Sequence, residues 1–201
     1  MSIRKQDCAG VILAGGMSRR MGRCKAELEI DGETMLSRTA RCFAGFPELL
    51  ISANDPALGA DLGRVVPDEY PGQGPLAGLH AAMGSTDRRA ILCLPCDLPR
   101  FTPEAAEYLL GEYSGEDVLV FSDRNGRLHP LCGIYSCALR PRIGEMLKKG
   151  ERRIQDLLDR SETRILRPGD DLPDSVFFNV NTPEDFERIC ADGALSLRKK
   201  L

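Results

Sequence analysis

The stretch Leu13-Ala14-Gly15-Gly16-Met17-Ser18-Arg19-Arg20-Met21-Gly22-Arg23-Cys24-Lys25 sets glycines among Arg19, Arg20, Arg23 and Lys25. Glycine lets backbone amides approach an anion closely, and guanidinium and ammonium groups neutralise it, so the composition is that of a phosphate-binding loop. The stretch lacks the Gly-Lys-Ser/Thr ending of a P-loop and the G-x-G-x-x-G spacing of a dinucleotide fingerprint, which excludes both of those sites. A glycine-rich turn with incidental surface arginines is the competing reading.

Asp97 closes Leu94-Pro95-Cys96-Asp97 at the end of an apolar run. A carboxylate there suits a magnesium ion, because a hard cation prefers carboxylate oxygen and bridges it to substrate phosphates. The alternative is an aspartate that caps the turn at Leu98-Pro99. Cys96 beside it reads as a small packed residue, since thiolate suits softer metals. His80 falls near the apolar stripe of a helix, as a packed or edge histidine would, and no Ser-His-Asp arrangement accompanies it or His129. Hydrolysis by a nucleophilic triad therefore has little support.

These groups need elements to position them, and apolar runs alternate with helical patterns along the chain as in a sheet with crossover helices. Strands are expected at residues 9–13, 49–52, 64–66, 90–94, 163–166 and 175–178. Helices are expected over 33–43, from Gly74-Pro75 onward, over 142–149 and 152–160, and after Thr102-Pro103 and Thr182-Pro183, where threonine caps and proline takes the first helical position. Residues 118–121 and 131–135 flank the turn-prone Asp123-Arg124-Asn125-Gly126 and read as a hairpin in a mixed sheet. The expected fold is a Rossmann-like three-layer α/β sandwich with a mostly parallel sheet, one domain spanning 1–201, and a site across the carboxyl ends of the parallel strands.

Composition sets the outer limits. With 42% hydrophobic and 28% charged residues in 201, neither disorder nor a fibrous repeat is indicated. The 27 basic and 30 acidic residues leave a net charge of −3, which offers no general attraction to nucleic acid or anionic lipid, so any anion must be held locally. No stretch approaches the roughly 18 to 20 apolar residues that cross a bilayer, and residues 1–7 lack the apolar segment of a secretory signal. A cytoplasmic protein that engages neither nucleic acid nor membrane is expected. The eight scattered cysteines read as reduced, largely buried thiols, and Cys93 and Cys96 lack a second pair at zinc-site spacing.

Leu-Ala-Gly-Gly followed by Ser-x-Arg-Met-Gly and a lysine resembles the signature of nucleotidyltransferases that make nucleotide sugars and dinucleotide cofactors. From about residue 8 to 190 the pattern most resembles the molybdenum cofactor guanylyltransferases. Further matches are Asn54 in Ser52-Ala53-Asn54, Asp68 before Tyr70-Pro71-Gly72-Gln73-Gly74-Pro75-Leu76-Ala77-Gly78, and Asp97. Beyond them come His129-Pro130, Gly150-Glu151-Arg152-Arg153 and Phe178-Asn179-Val180-Asn181-Thr182-Pro183. One departure is Cys24, where the family loop normally carries an aspartate.

The resemblance implies a fold of the nucleotide-diphospho-sugar transferase type and transfer of GMP from GTP to Mo-molybdopterin, with pyrophosphate leaving and Mg2+ required. It implies catalytic roles for Arg20, Lys25 and Asp97, with Asp97 on the metal. Leu13, Ala14, Gly15, Gly16, Lys25, Asn54, Asp68 and Asp97 would then hold GTP, and His129, Arg152, Arg153, Asn179 and Asn181 the acceptor. For Asn54 and Asp68 turn capping is the alternative, for Arg152 and Arg153 a solvated basic patch, and for His129 a loop-fixing role. Rival functions are transfer from CTP, a sugar-phosphate acceptor, or nucleotide binding without turnover in a cofactor-delivery protein. A monomer is expected, with molybdenum cofactor biosynthesis or acceptor proteins as candidate partners.

Overall fold

Continuous apolar runs become strands covered on both faces. The computed structural model describes residues 3–15, 24–168 and 172–198, with side chains as far as residue 191. In chain order the elements are β1 (Cys8–Leu13), β2 (Glu29–Ile30), β3 (Glu33–Thr34), α1 (Met35–Ala40), β4 (Leu49–Ser52), β5 (Arg64–Val66), α2 (Pro75–Gly84) and β6 (Ala90–Pro95). There follow α3 (Pro103–Glu112), β7 (Val118–Ser122), β8 (Leu128–Ser136), α4 (Arg140–Lys148), α5 (Ile154–Asp159), β9 (Thr163–Leu166) and α6 (Pro183–Arg198).

Seven strands form one sheet in the order β5-β4-β1-β6-β8-β7-β9. All run the same way except β8, which pairs antiparallel with β6 and β7. Strand periodicity of two sorts the side chains into two cores. Cys8, Ile12, Ala90, Leu92 and Leu94 join Leu36, Phe43, Ala105 and Leu109 on the face covered by α1 and α3. Ala9, Val11, Ile91 and Cys93 join Leu76, Leu79, Ile143 and Leu157 on the face covered by α2, α4 and α5. This is the three-layer, mostly parallel sandwich expected from the alternation of runs. Gly10 fits its place because a Cβ there would stand 2.4 Å from the Phe43 ring. Among the described residues, no helix is long and apolar enough to cross a membrane.

Two local expectations are corrected. The helix expected over 33–43 is shorter: Glu33 and Thr34 pair antiparallel with Ile30 and Glu29, α1 occupies Met35–Ala40, and a 3-10 turn covers Arg41–Phe43. Asp31 and Gly32, with φ of 54° and 77°, make the tight turn of this small hairpin. The Thr34 hydroxyl then caps α1 by accepting from Ser37 N–H at 3.1 Å. The strand expected at 175–178 is a 3-10 turn, Asp174–Phe177, which drives Val176 and Phe177 into the core after Pro173. A short apolar run does not by itself distinguish these outcomes.

The two Thr-Pro starts are helix caps as expected. Thr102 accepts from Ala105 N–H at 3.3 Å, and Thr182 accepts from Asp185 N–H at 3.2 Å. Asp185 returns the bond, its Oδ2 accepting from Thr182 N–H at 2.9 Å, which completes a reciprocal capping box at the start of α6.

Candidate active site

The parallel strands β1, β4, β5 and β6 end on one edge of the sheet, at Leu13, Ser52, Val66 and Pro95. From β1 the chain moves outward through β4 to β5, then returns to β6 on the opposite side of β1. That reversal opens a crevice between β1 and β6, the place where open α/β sheets bind ligands. Cys96 N–H donates to Leu13 C=O at 3.2 Å, so the two strand ends stay joined as Asp97 emerges.

Three groups far apart in sequence meet there. Lys25 Nζ lies 3.3 Å from Asp97 Oδ2 and donates to Asn181 Oδ1 at 2.8 Å. Buried Ala26 anchors the 3-10 turn Lys25–Glu27 that carries the lysine. Val180 N–H donates to Asp97 C=O at 2.9 Å, and Asp185 Oδ2 accepts from Asn181 N–H at 2.9 Å, so the α6 cap holds Asn181 over the strand end. The Lys25 and Asp97 side chains keep 17% and 22% of their exposure, so water screens their interaction less than on an open surface. Two oxygens converging on one ammonium form a hard donor set that also suits a divalent cation.

A second group lies one and two strands away. Asn54 Oδ1 accepts from Asp68 N–H at 3.2 Å, and Ser52 Oγ stands 3.5 Å from Asp68 Oδ1. Burial pushes the Asp68 carboxyl above the usual aspartate range, against the hydrogen bonds of Asn54 and Ser52. Gly78 lets α2 press against this floor, since a Cβ there would fall 2.5 Å from Ser52 Oγ and 2.8 Å from Leu13 Cδ2. Ala14 and Gly15 donate their N–H groups to Ser52 C=O at 3.0 and 2.9 Å. Both backbone donors are therefore engaged within the sheet edge.

Residues 10–165 match the family model of the MobA-like NTP transferase domain. A protein of Pelotomaculum thermopropionicum named "Probable molybdenum cofactor guanylyltransferase" is 40% identical over 184 residues, covering 88% of each chain. The molybdenum cofactor guanylyltransferase of Shewanella baltica strain OS155 is 35% identical over 188 residues, covering 90% of this chain and 95% of its own. The chain belongs to the MobA-like NTP transferase family. Its fold is shared with the crystal structure of molybdopterin-guanine dinucleotide biosynthesis protein A from Archaeoglobus fulgidus, at a TM-score of 0.78 and 24% identity over 96% of this chain and 100% of that one.

Within this MobA-like transferase the remaining sequence-derived positions distribute unevenly. Gly16 and Arg20, with Arg19 and Arg23, lie outside the described residues. His129, at the start of β8, is buried: its ring stacks on Phe177 at 4.3 Å between centroids, and its Nε2 lies 3.6 Å from Asp123 Oδ2. Burial pushes its pKa down, so the imidazole is neutral at pH 7 and packs as an aromatic. Arg152 and Arg153 are exposed in the turn between α4 and α5, and among the described residues no hydrogen bond or ion pair joins them to Lys25 or Asp97. Asn179 is partly buried two residues before Asn181, with its Oδ1 shielded from solvent.

Sequence reasoning places Asn181 on the acceptor side, and the structure sets it directly on Lys25. It missed Ser52 and Asp185, of which only Asp185 carried a readable signal, the Thr182-Pro183-Glu184-Asp185 spacing of a capping box. Cys24 lines a cavity of about 600 Å³ with Glu27, Leu28, Glu29 and Phe186, immediately beside Lys25. All eight cysteines are free thiols, and burial pushes Cys96 up to about 12, so it is protonated at neutral pH.

Proposed function

We propose that the protein transfers GMP from GTP to Mo-molybdopterin, giving Mo-molybdopterin guanine dinucleotide and pyrophosphate. The observation that carries this reading is the meeting of Lys25, Asp97 and Asn181 at the β1/β6 crevice in a MobA-like transferase. A terminal phosphate oxygen of the acceptor attacks the α-phosphorus of GTP in line. The bond from that phosphorus to the oxygen bridging the β-phosphorus breaks, and pyrophosphate carries the electron pair away. Anion must approach anion, so positioning and positive charge do most of the catalytic work.

Lys25 supplies a mobile point charge for the triphosphate, and Arg20 is assigned to the charge that builds on the transferred phosphate. Asp97 and Asn181 would offer oxygens to Mg2+, a hard cation that prefers such donors. The ion, when bound, neutralises phosphate charge and orients the polyphosphate. Leu13 to Gly16, Asn54 and Asp68 take the nucleoside, and Asn179, Arg152, Arg153 and the wall around His129 face the acceptor. The reading also takes the protein to act in the cytoplasm as a monomer.

Paired assays with GTP, CTP and ATP, with Mo-molybdopterin or a sugar 1-phosphate as acceptor, test the assignment. Pyrophosphate should appear with GTP and Mo-molybdopterin. Release only with CTP, or only with a sugar phosphate, overturns the substrate assignment, and GTP binding without any pyrophosphate overturns the enzymatic one.

Asp68 gives the base a pH dependence. The ionised carboxylate accepts from the guanine N1–H and exocyclic amine, and the protonated form loses that capacity. Because burial raises the Asp68 pKa, kcat/KM for GTP should begin to fall at a higher pH than the value of about 4 for a free aspartate. Asp68→Asn should raise KM for GTP about ten- to hundredfold at pH 7, the worth of hydrogen bonds to a charged group, and remove this acid limb. A pH profile in which the variant keeps the limb unchanged assigns the limb elsewhere.

A further inference from the structure

Glu69, next to Asp68, points away from the nucleotide edge and into a clamp made by two helices. Arg140, the first residue of α4, donates through Nη2 to Glu69 Oε1 at 2.9 Å. His80, in the middle of α2, brings Nδ1 to 3.6 Å from Glu69 Oε2. Both partners are held in place by close packing. A Cβ on Gly144 of α4 would stand 3.1 Å from His80 Nε2, and a Cβ on Gly84 at the end of α2 would stand 2.6 Å from the Arg140 guanidinium. Tyr70, the next residue along, meets the His80 ring edge to face at 5.3 Å and packs against the α2/α4 core.

Consecutive residues of one loop thus divide their work. Asp68 turns toward Ser52 and Asn54, while Glu69 and Tyr70 fasten the same loop to the helical layer. The Arg140 and Glu69 side chains are 41% and 49% exposed, and an ion pair so wet adds little to global stability. Its effect is local, on the course of the chain at Asp68. We infer that Glu69 is a positioning residue for the nucleotide: held by Arg140 and packed beside His80, it fixes the direction of the Asp68 carboxylate and thereby sets GTP affinity without touching GTP. The inference rests on the assignment of Asp68 to the base.

Glu69→Gln and Arg140→Gln in the full chain should each raise the dissociation constant and KM for GTP about fivefold. The same variants should leave kcat and the acceptor KM unchanged. Arg140→Lys should recover most of the affinity. The double variant Glu69→Gln with Arg140→Gln should be no worse than either single one, because the two act through one contact. Calorimetric titration with GTP and Mg2+, steady-state kinetics and thermal melts read these separately. Unchanged GTP affinity in both single variants overturns the inference, as does a lowered melting temperature without an affinity change, or a fall in kcat at constant KM. Wild-type protein that binds no GTP overturns the site assignment itself, and the clamp with it.

Discussion

Asp97→Asn is expected to lower kcat by about 10²- to 10³-fold, the range measured when one group that stabilises transition-state charge is lost. The substitution exchanges the carboxylate beside Lys25 for an amide of the same shape. A neutral oxygen still faces Lys25, so the geometry survives while the charge that favours a divalent cation is gone. The fold should be indifferent. It is the Asp97 backbone carbonyl that accepts from Val180 N–H, and Asn181 still accepts from Lys25. The lost ion pair is partly solvated and worth at most about 1 kcal/mol, a shift of about 2–4 °C in melting temperature. Turnover measured across a magnesium series should show a higher metal requirement as well as a lower ceiling. Wild-type turnover with wild-type magnesium dependence would remove Asp97 from the chemistry.

Much of the scaffold was legible in the sequence because its strands are buried on both faces. Runs such as Ala90 to Leu94 have no polar side to confuse the period, and glycine or proline marks their ends. One of the two misread regions, 33–43, carries two signals at once. The helical spacing of Leu36, Ala40 and Phe43 competes with the Asp31-Gly32 turn, and the hairpin wins at Glu33 and Thr34 because those residues pair with β2. The residue types of the site were legible too, since a lysine after glycines and an aspartate after an apolar strand each suggest their chemistry alone.

Encounter was not legible. Lys25 and Asn181 lie 156 positions apart, and only the fold of α6 back onto Asp97 makes them partners. His129 shows the same limit in the opposite direction. The resemblance implies an acceptor role for His129 beside a loop-fixing alternative, and the sequence does not show that the pairing of β7 and β8 shifts register between Val120 and Phe121 and sets His129 opposite Phe121, where its ring stacks on Phe177. Glu69 carried no signal, being one acidic residue in a polar turn whose partners arrive from two different helices.

Lys25→Met should move two measurements in opposite directions. Turnover should fall about 10²- to 10³-fold, because the triphosphate loses a positive charge in a site partly shielded from water. Binding of Mg2+ to the protein without nucleotide should strengthen about tenfold or more. In the structure the ammonium sits 3.3 Å from Asp97 Oδ2 and 2.8 Å from Asn181 Oδ1, claiming the same oxygens that suit the metal. A unit charge about 4 Å from another costs between about 1 kcal/mol at the dielectric of water and 4 kcal/mol at that of a protein surface, and a divalent ion doubles this, so removing the ammonium relieves both repulsion and competition. Methionine keeps the length of the stem, which leaves the packing around Ala26 intact. Calorimetric titration with Mg2+ alone, beside steady-state kinetics, separates the cases. Lost turnover with unchanged metal affinity would confine Lys25 to the phosphates, and weaker metal affinity would mean that the lysine organises Asp97 and Asn181 rather than competing for them. Stronger metal binding with lost turnover would show that Lys25 guards the metal position until a nucleotide draws the ammonium onto its phosphates.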